Sequence, residues 1–320
     1  MVFSIITPSL GQLDWLRTCV ASVADQSGAE PSDRSDDRPP PAVEHIIQDG
    51  GTAGIEEFAR GIGAEFYRNG ERVFGPRPPS EGARSYRLAI YSEPDAGMYD
   101  AINRGIARMS GDLWAWLNCD EQYLPGAIAY VAGWFAANRD KDILCGDVLL
   151  LDGAQRALSY RRTVTPGRLL ARLSHLPNPS CATFYRRGVL GNGGIFDTTW
   201  RSIGDAEWMA RLLALGCRAG SCRRLLGAYA FTGVNVSASE TAIGEAARWR
   251  GMPDAPPGWL RIPVIVHHRL RKLLAGAYRK RTVSYALYEK GSAGRVMRTA
   301  ERLGWAWPEP NAKRSPSPAK

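Results

Sequence analysis

Three acidic positions in this chain stand where carboxylates can do chemical work. Asn118-Cys119-Asp120-Glu121 closes the apolar run 113–117. If that run is a buried strand, its direction carries Asp120, Glu121 and the amide oxygen of Asn118 beyond the strand end. Oxygen donors of this kind suit a hard divalent cation, which can hold a diphosphate and neutralise charge on a leaving group. The same string also reads as a solvated acidic turn ahead of the helix that Pro125 opens. Asp49-Gly50-Gly51 is either a plain turn, since Asp and Gly are favoured there, or a carboxylate gripping a base or ribose hydroxyl. Asp205 and Glu207 follow Gly204 and open a helical pattern with the apolar stripe Trp208, Leu212 and Leu215. Acidic residues in a first turn serve as caps and dipole complements, or one of them can act as a general base at the lip of a crevice. His45 sits inside a strand pattern and reads as structural.

The elements that must position these groups alternate. Residues 2–6, 43–48, 86–92 and 113–117 have the apolar, β-branched character of strands. Helical spacing follows each of them: Leu13, Leu16, Val20 and Val23, then 55–61, 98–109, and the stretch from Pro125 to Phe135. Residues 27–41 and 69–84 are polar, Pro-rich loops. Strands alternating with helices in this way predict βαβ units, and so an α/β fold with a mainly parallel sheet covered on both faces. Ligands of such sheets collect beyond the carboxyl ends of the strands. The polar clusters Thr7-Pro8-Ser9, Asp49-Gly50-Gly51, Glu93-Pro94-Asp95 and Asn118-Cys119-Asp120 fall at those ends. The second half is less regular, with strands expected at 142–151, 157–163 and 182–187 and a helix at 205–215.

Composition narrows the classes. The chain has 320 residues, 44% hydrophobic and 23% charged, which excludes wholesale disorder. No apolar run reaches the length of a membrane span, and the N-terminus reads as a strand, not a signal peptide. Six scattered cysteines without a Cys-x-x-Cys pair argue against a zinc site or disulfide framework and suit a reducing cytoplasm. Neither Gly-x-Gly-x-x-Gly nor Gly-x4-Gly-Lys-Ser/Thr occurs, which counts against a dinucleotide oxidoreductase or P-loop kinase.

The order and wording of the clusters resemble bacterial family 2 glycosyltransferases of the GT-A fold. The strings that carry the resemblance are Ser4-Ile5-Ile6-Thr7-Pro8-Ser9, Ile47-Gln48-Asp49-Gly50-Gly51-Thr52, the run from Ser92 through Met98-Tyr99-Asp100 to Ile106, the run from Gly111 to Asp120, Gly146-Asp147, and Gly204-Asp205-Ala206-Glu207-Trp208. The resemblance covers residues 1–240. It implies a Rossmann-like central sheet, a nucleotide-sugar-binding half at 1–120 and an acceptor half at 121–240. It places Pro8 and Asp49 at the nucleotide base and ribose, with Thr7 beside them. Asp95, Asp100 and Asn103 fall in the donor pocket. Asn118 and Cys119 precede Asp120, which matches the last acid of an Asp-x-Asp motif; Asp120, assisted by Glu121, would ligate Mn²⁺ or Mg²⁺. Asp205 matches the general base of inverting members. Two departures stand out: Asn118 replaces the first acid and Glu121 the usual following Asp. A third is Ser180-Cys181, where relatives often carry His-Gln. The implied partners are a nucleotide-diphosphate sugar and a saccharide or lipid-linked acceptor, the implied role cell-surface polysaccharide synthesis. A catalytically silent nucleotide-sugar-binding homologue is the alternative.

The net charge of +9 is uneven. Residues 261–320 hold 14 Lys or Arg against three acidic residues, which leaves the first 260 residues at −2. Residues 241–310 are expected to form a basic helical extension and 311–320 a disordered tail. The stretch 262–278 mixes apolar residues with His267, His268, Arg269, Arg271 and Lys272. Residues 261–282 therefore read either as a helix on an anionic membrane surface or as one packed on the domain with a solvated basic side. No recognised motif accompanies the charge, so nucleic acid is not an expected partner. The expected location is the cytoplasm, peripheral to the inner face of the plasma membrane.

Overall fold

The computed structural model describes residues 1–27, 41–76, 86–232 and 240–308. The expectations for 28–40, 77–84 and 311–320 fall outside these residues. The first half runs β1 (Val2–Ser9), α1 (Leu13–Ala24), β2 (Ala42–Asp49), α2 (Ile55–Gly61), β3 (Glu65–Arg68), β4 (Glu71–Phe74), β5 (Tyr86–Ser92), α3 (Met98–Arg108) and β6 (Leu113–Trp116). The second half continues with β7 (Gln122–Tyr123), α4 (Ala127–Ala137), β8 (Ile143–Leu151), β9 (Ala157–Arg161), α5 (Arg168–Leu173), β10 (Thr183–Arg186), α6 (Val189–Gly193), α7 (Gly204–Ala214) and β11 (Ala219–Ala230). Beyond it lie α8 (Glu240–Arg250), α9 (Arg261–Leu274), β12 (Arg281–Tyr288) and β13 (Arg295–Leu303).

Strands β1 to β11 form one sheet in the order β4-β3-β5-β2-β1-β6-β10-β8-β11-β7, with β9 alongside β8. The run β3-β5-β2-β1-β6 is parallel throughout, as is β8 with β11, while β10 runs antiparallel between β6 and β8. This is the expected mainly parallel α/β sheet. Its strands read as continuous apolar runs because both faces are buried. Ile6 and Ile46 pack under Ile102 and Ile106 of α3, while Ile47 meets Leu16 and Val20 of α1 and Phe58 of α2 on the opposite face. Gly105 lets α3 approach closely, since a Cβ there would strike Ile6. Strand order reverses between β1 and β6, and that switch opens the crevice beyond their carboxyl ends.

Two expectations are corrected. The polar stretch after Asn69 contains β4, which pairs antiparallel with β3. Charge conceals this edge: Arg87 pairs with the buried carboxylates of Glu65 at 2.7 Å and Glu44 at 3.1 Å. Nor is the extension helical throughout, because β12 and β13 form an antiparallel hairpin. The hairpin docks on the body through Gln122, which exchanges two hydrogen bonds with the Tyr288 backbone, and through Arg295, whose guanidinium meets Asp25. Leu287 and Leu303 join the cluster of Leu149 and Tyr160 beneath it. Among the described residues no helix is long and apolar enough to cross a membrane. The six cysteines are buried free thiols.

His45 lies fully buried between Thr7 Oγ1 at 2.9 Å and the Tyr86 hydroxyl at 3.1 Å. Burial pushes its pKa from 6.5 down to about 3. The unfolded chain binds this proton below pH 6.5 and the folded chain does not. Its stabilising contribution is therefore complete above pH 6.5 and is lost as the pH falls toward 3, at up to about 1.4 kcal/mol per pH unit. Denaturant midpoints measured between pH 7 and pH 4 are expected to fall with that slope. In His45→Gln they should start lower and fall less steeply; an unchanged slope would show that other groups carry the acid sensitivity.

Candidate functional site

The carboxyl edge of β2 ends in Asp49, whose carboxylate is fully buried. Its Oδ2 accepts the N–H groups of Gly51 and Thr52, both at 2.9 Å, and the Ser92 hydroxyl at 3.1 Å from the end of β5. The other oxygen, Oδ1, is buried without a partner among the described residues. An orphaned buried acceptor is costly, and a donor on a bound ligand would relieve it. Asp95 comes against the same turn: a Cβ on Gly50 would lie 3.0 Å from Asp95 Oδ2. Burial, with the charges of Asp100 and Asp49 nearby, holds the Asp95 carboxyl above its ordinary range. Thr52 Oγ1 also takes the Gly11 N–H at 2.8 Å, which ties the turn to the loop after β1.

Beyond β6, Asn118 and Asp120 present oxygens two residues apart. Asn118 Oδ1 is buried without a partner among the described residues. Asp120 is partly exposed, accepts a 3.5 Å bond from the Thr232 hydroxyl, and is pushed up to about 6 by burial. Glu121 turns the other way. Its Oε2 accepts the Asn118 N–H at 2.8 Å, and both carboxylate oxygens accept from the Ser180 hydroxyl, at 3.2 and 3.3 Å. Burial, reinforced by Asp120, pushes it up to about 8. Glu121 thus closes the turn from Asn118 to Ser180, next to the oxygens of Asn118 and Asp120. Among the described residues no three His, Cys, Asp or Glu groups come together as a metal cage. The donor set fits a hard cation that takes Asn118 Oδ1 and Asp120 and completes its shell with ligand phosphates and water.

Asp205 enters from the far side of the sequence. Its Oδ1 accepts the Ala206 N–H at 2.8 Å and the Tyr99 hydroxyl at 3.3 Å, while its own N–H donates to that hydroxyl at 3.1 Å. Tyr99 opens α3 next to Asp100, so these contacts bring Asp205 to the same carboxyl edge as Asp95. Arg201 spans the same gap: a Cβ on Gly97 would meet its Nη1 at 2.8 Å. Burial holds the Asp205 carboxyl above its ordinary range, although a helix N-terminus acts in the opposite sense. Just before α7, Glu245 of α8 accepts the N–H groups of Arg201, Ser202 and Ile203 at 2.6, 2.9 and 3.2 Å. Glu207, by contrast, is paired with Arg211 at 2.9 Å. Gly204 leaves room for Tyr99, whose ring would sit 2.7 Å from a Cβ there. Gly204→Ala is expected to cost about 1–3 kcal/mol through overpacking, read as a lowered denaturant midpoint; an unaltered midpoint would mean that the ring moves aside freely.

Several sequence expectations land elsewhere. The Thr7 hydroxyl points into the core onto His45, and Pro8 is buried in β1. Asn103 spends its amide on the Phe196 backbone, donating at 2.8 Å and accepting at 2.9 Å, and so pins the loop before α7. Asp100 Oδ2 takes the Ala96 N–H at 2.9 Å and pairs with Arg104 at 3.0 Å. Cys119 touches Gln12 at 3.6 Å and stays a protonated thiol, pushed up to about 12 by burial and then by the charges of Asp120 and Glu121. Asp147 is buried under Tyr160, Arg162 and the Thr163 N–H, a structural role. Ser92, Ser180, Tyr99, Arg201 and Glu245 went unpredicted. Ser92 and Tyr99 lie inside a noted string and Ser180 at a noted departure; Arg201 and Glu245 carry no local signal.

No model of a known protein family matches the chain. It is 27% identical over 214 residues to "PGL/p-HBAD biosynthesis glycosyltransferase" proteins of Mycobacterium bovis and Mycobacterium tuberculosis, a match over 66% of this chain and 69% of theirs. It is also 27% identical over 246 residues to an uncharacterized glycosyltransferase of M. tuberculosis, covering 75% of this chain and 79% of that one. Among solved structures it is similar to S. aureus TarS 1-349 in complex with UDP-GlcNAc, with a TM-score of 0.53 and 14% identity, across 86% of this chain and 73% of that one. The complex of the same protein with UDP gives a TM-score of 0.50 and 13% identity, across 78% and 69%. The likeness carries the fold, in agreement with the expected GT-A-like arrangement.

Proposed function

We propose that this protein is an inverting glycosyltransferase that moves a sugar from a nucleotide-diphosphate sugar to a hydroxyl of a saccharide or lipid-linked acceptor, in cell-surface polysaccharide synthesis. The observation that carries the reading is the meeting, at one sheet edge, of a raised carboxyl at Asp205 with two orphaned buried oxygens, Asp49 Oδ1 and Asn118 Oδ1. The names of the relatives and the nucleotide-bound structural neighbours support it. In this reading Asp49 Oδ1 accepts from the base or ribose of the donor, with Asp95 beside it. Asp205 takes the proton of the acceptor hydroxyl as its oxygen attacks the anomeric carbon. The bond to the diphosphate breaks on the opposite side, its electron pair leaves with the diphosphate, and configuration inverts. Asn118 and Asp120 would hold Mn²⁺ or Mg²⁺, which when bound neutralises charge on the leaving diphosphate. The basic extension would keep the enzyme peripheral to an anionic membrane.

Release of nucleoside diphosphate from a panel of sugar nucleotides, with Mn²⁺ or Mg²⁺ and candidate acceptors, tests the reading. Acceptor-dependent release with an inverted anomeric centre supports it. The inward turn of Glu121, which leaves Asp120 as the carboxylate beside Asn118 Oδ1 among the described residues, favours a second reading: a silent nucleotide-sugar- or glycan-binding homologue. Tight donor binding with no turnover on any pair would establish that one instead.

A further inference from the structure

Helix α9 is mounted with its polarity reversed. An amphipathic helix on a soluble body turns its apolar stripe inward. Here His268 and Lys272, one turn apart, are the buried residues of the helix. They face Arg161 and His175, with the two histidine rings 5.7 Å apart. The apolar stripe faces outward: Ile262 is 72% exposed, Val266 50%, Leu270 54% and Leu274 86%. This spacing of four places them along one side of the helix. Trp259, 72% exposed, precedes the stripe, and an aromatic of this kind favours the boundary between water and acyl chains.

Charge surrounds the stripe. Arg261, His267 and Arg269 are exposed on the helix, and Arg279 and Lys280 are exposed just past its end. Leu274 also lines an open cavity of about 430 Å³, together with Arg271, Arg223 and the hydroxyl residues Thr163, Thr165 and Ser221. No carboxylate among the described residues pairs with Arg223 or Arg271. Two guanidinium groups beside the hydrogen-bonded hydroxyl pair of Thr165 and Ser221 make a phosphate-recognising surface, and it lies where the apolar stripe ends. The C-terminal residues 309–320 offer no large apolar side chain to cover the stripe.

We propose that this face docks on an anionic phospholipid bilayer, with the α9 stripe seated among the upper acyl chains and the Arg223–Arg271 cavity taking a lipid phosphate. The inference sharpens the peripheral attachment in the proposed function but does not depend on glycosyl transfer, so either can fail alone. The test is sedimentation of the full chain with phosphatidylglycerol-containing vesicles and with neutral phosphatidylcholine vesicles. Leu270→Gln/Leu274→Gln should weaken binding to both by about tenfold or more, since exposed apolar area is lost from the contact. Arg223→Ala/Arg271→Ala should weaken binding to anionic vesicles by about fivefold per residue, and binding to neutral vesicles, whose lipids carry phosphate without net charge, by less. Quenching of tryptophan fluorescence by brominated lipid, lost in Trp259→Phe, gives an independent readout should the double variants misfold. Three results would overturn the proposal: vesicle binding indifferent to the stripe variant; a dimer in solution that the stripe variant dissolves, which would give this face to a second copy; or inorganic phosphate captured by the two arginines without vesicle binding, which would make the cavity a site for soluble anions.

Discussion

Asp120→Asn is expected to weaken cation-dependent donor binding by at least about 100-fold, whereas Glu121→Gln should leave it within about twofold. The two carboxyls are adjacent in sequence, and their directions separate them. Asp120 is partly exposed at the crevice beside the Asn118 oxygen, which has no partner among the described residues, and losing its charge there removes an anionic donor for a cation. Supporting groups around a metal are typically worth about 10–100-fold in affinity, and a direct anionic ligand should exceed that. Glu121 already spends its oxygens on the Asn118 N–H and the Ser180 hydroxyl, and its carboxyl is pushed up to about 8. A Gln side chain keeps an acceptor for the Asn118 N–H. Calorimetric titration of each variant with a nucleoside diphosphate, with and without Mn²⁺, decides the matter. Equal losses in the two variants would return Glu121 to the cation shell.

Asp205→Asn should lower turnover by about 10²–10⁴-fold with donor affinity nearly unchanged, the signature of a lost general base. Burial raises the Asp205 carboxyl and so makes its ionised form a stronger base, while the Ala206 N–H and the Tyr99 hydroxyl both stabilise that ionised form. Tyr99→Phe deletes one of those donors, so the acid limb of the pH–rate profile should move to higher pH without a comparable change in donor binding. Glu207→Gln should cost far less, because Glu207 is held by Arg211 one turn along α7. Turnover more sensitive to Glu207→Gln than to Asp205→Asn would move the base to Glu207.

The elements that carry the crevice are legible because their signals are local. β1, β2, β5 and β6 are β-branched or aromatic runs buried on both faces, and α2, α3 and α7 repeat their apolar residues at helical spacing. The polar clusters follow the strands directly, so chain direction alone puts Asp49, Asp95 and Asp120 at one edge. β11 was not legible: Arg223 and Arg224 interrupt it, and register shifts between Ser221 and Gly227 break its alternation with β8. β3 was hidden by Glu65, a charge buried against Arg87 of the neighbouring strand β5.

Local residue patterns set the type and order of the chemistry: oxygen-rich strand ends, a carboxylate pair after Gly204, and a basic, part-apolar helix near the C-terminus. Long-range packing sets which way those groups point. Glu121 turns inward because Ser180, 59 residues away, supplies the hydroxyl that receives it. Asn103 points to the loop before α7 because the Phe196 backbone offers both a carbonyl and an N–H to its amide. Asp205 loses the low pKa that a helix N-terminus promises because burial takes its carboxyl out of water. The α9 stripe faces outward because His268 and Lys272 are the side chains that meet the body. Periodicity specifies that a helix has two unlike faces. The partner that buries one of them comes from distant sequence, and no local pattern encodes it.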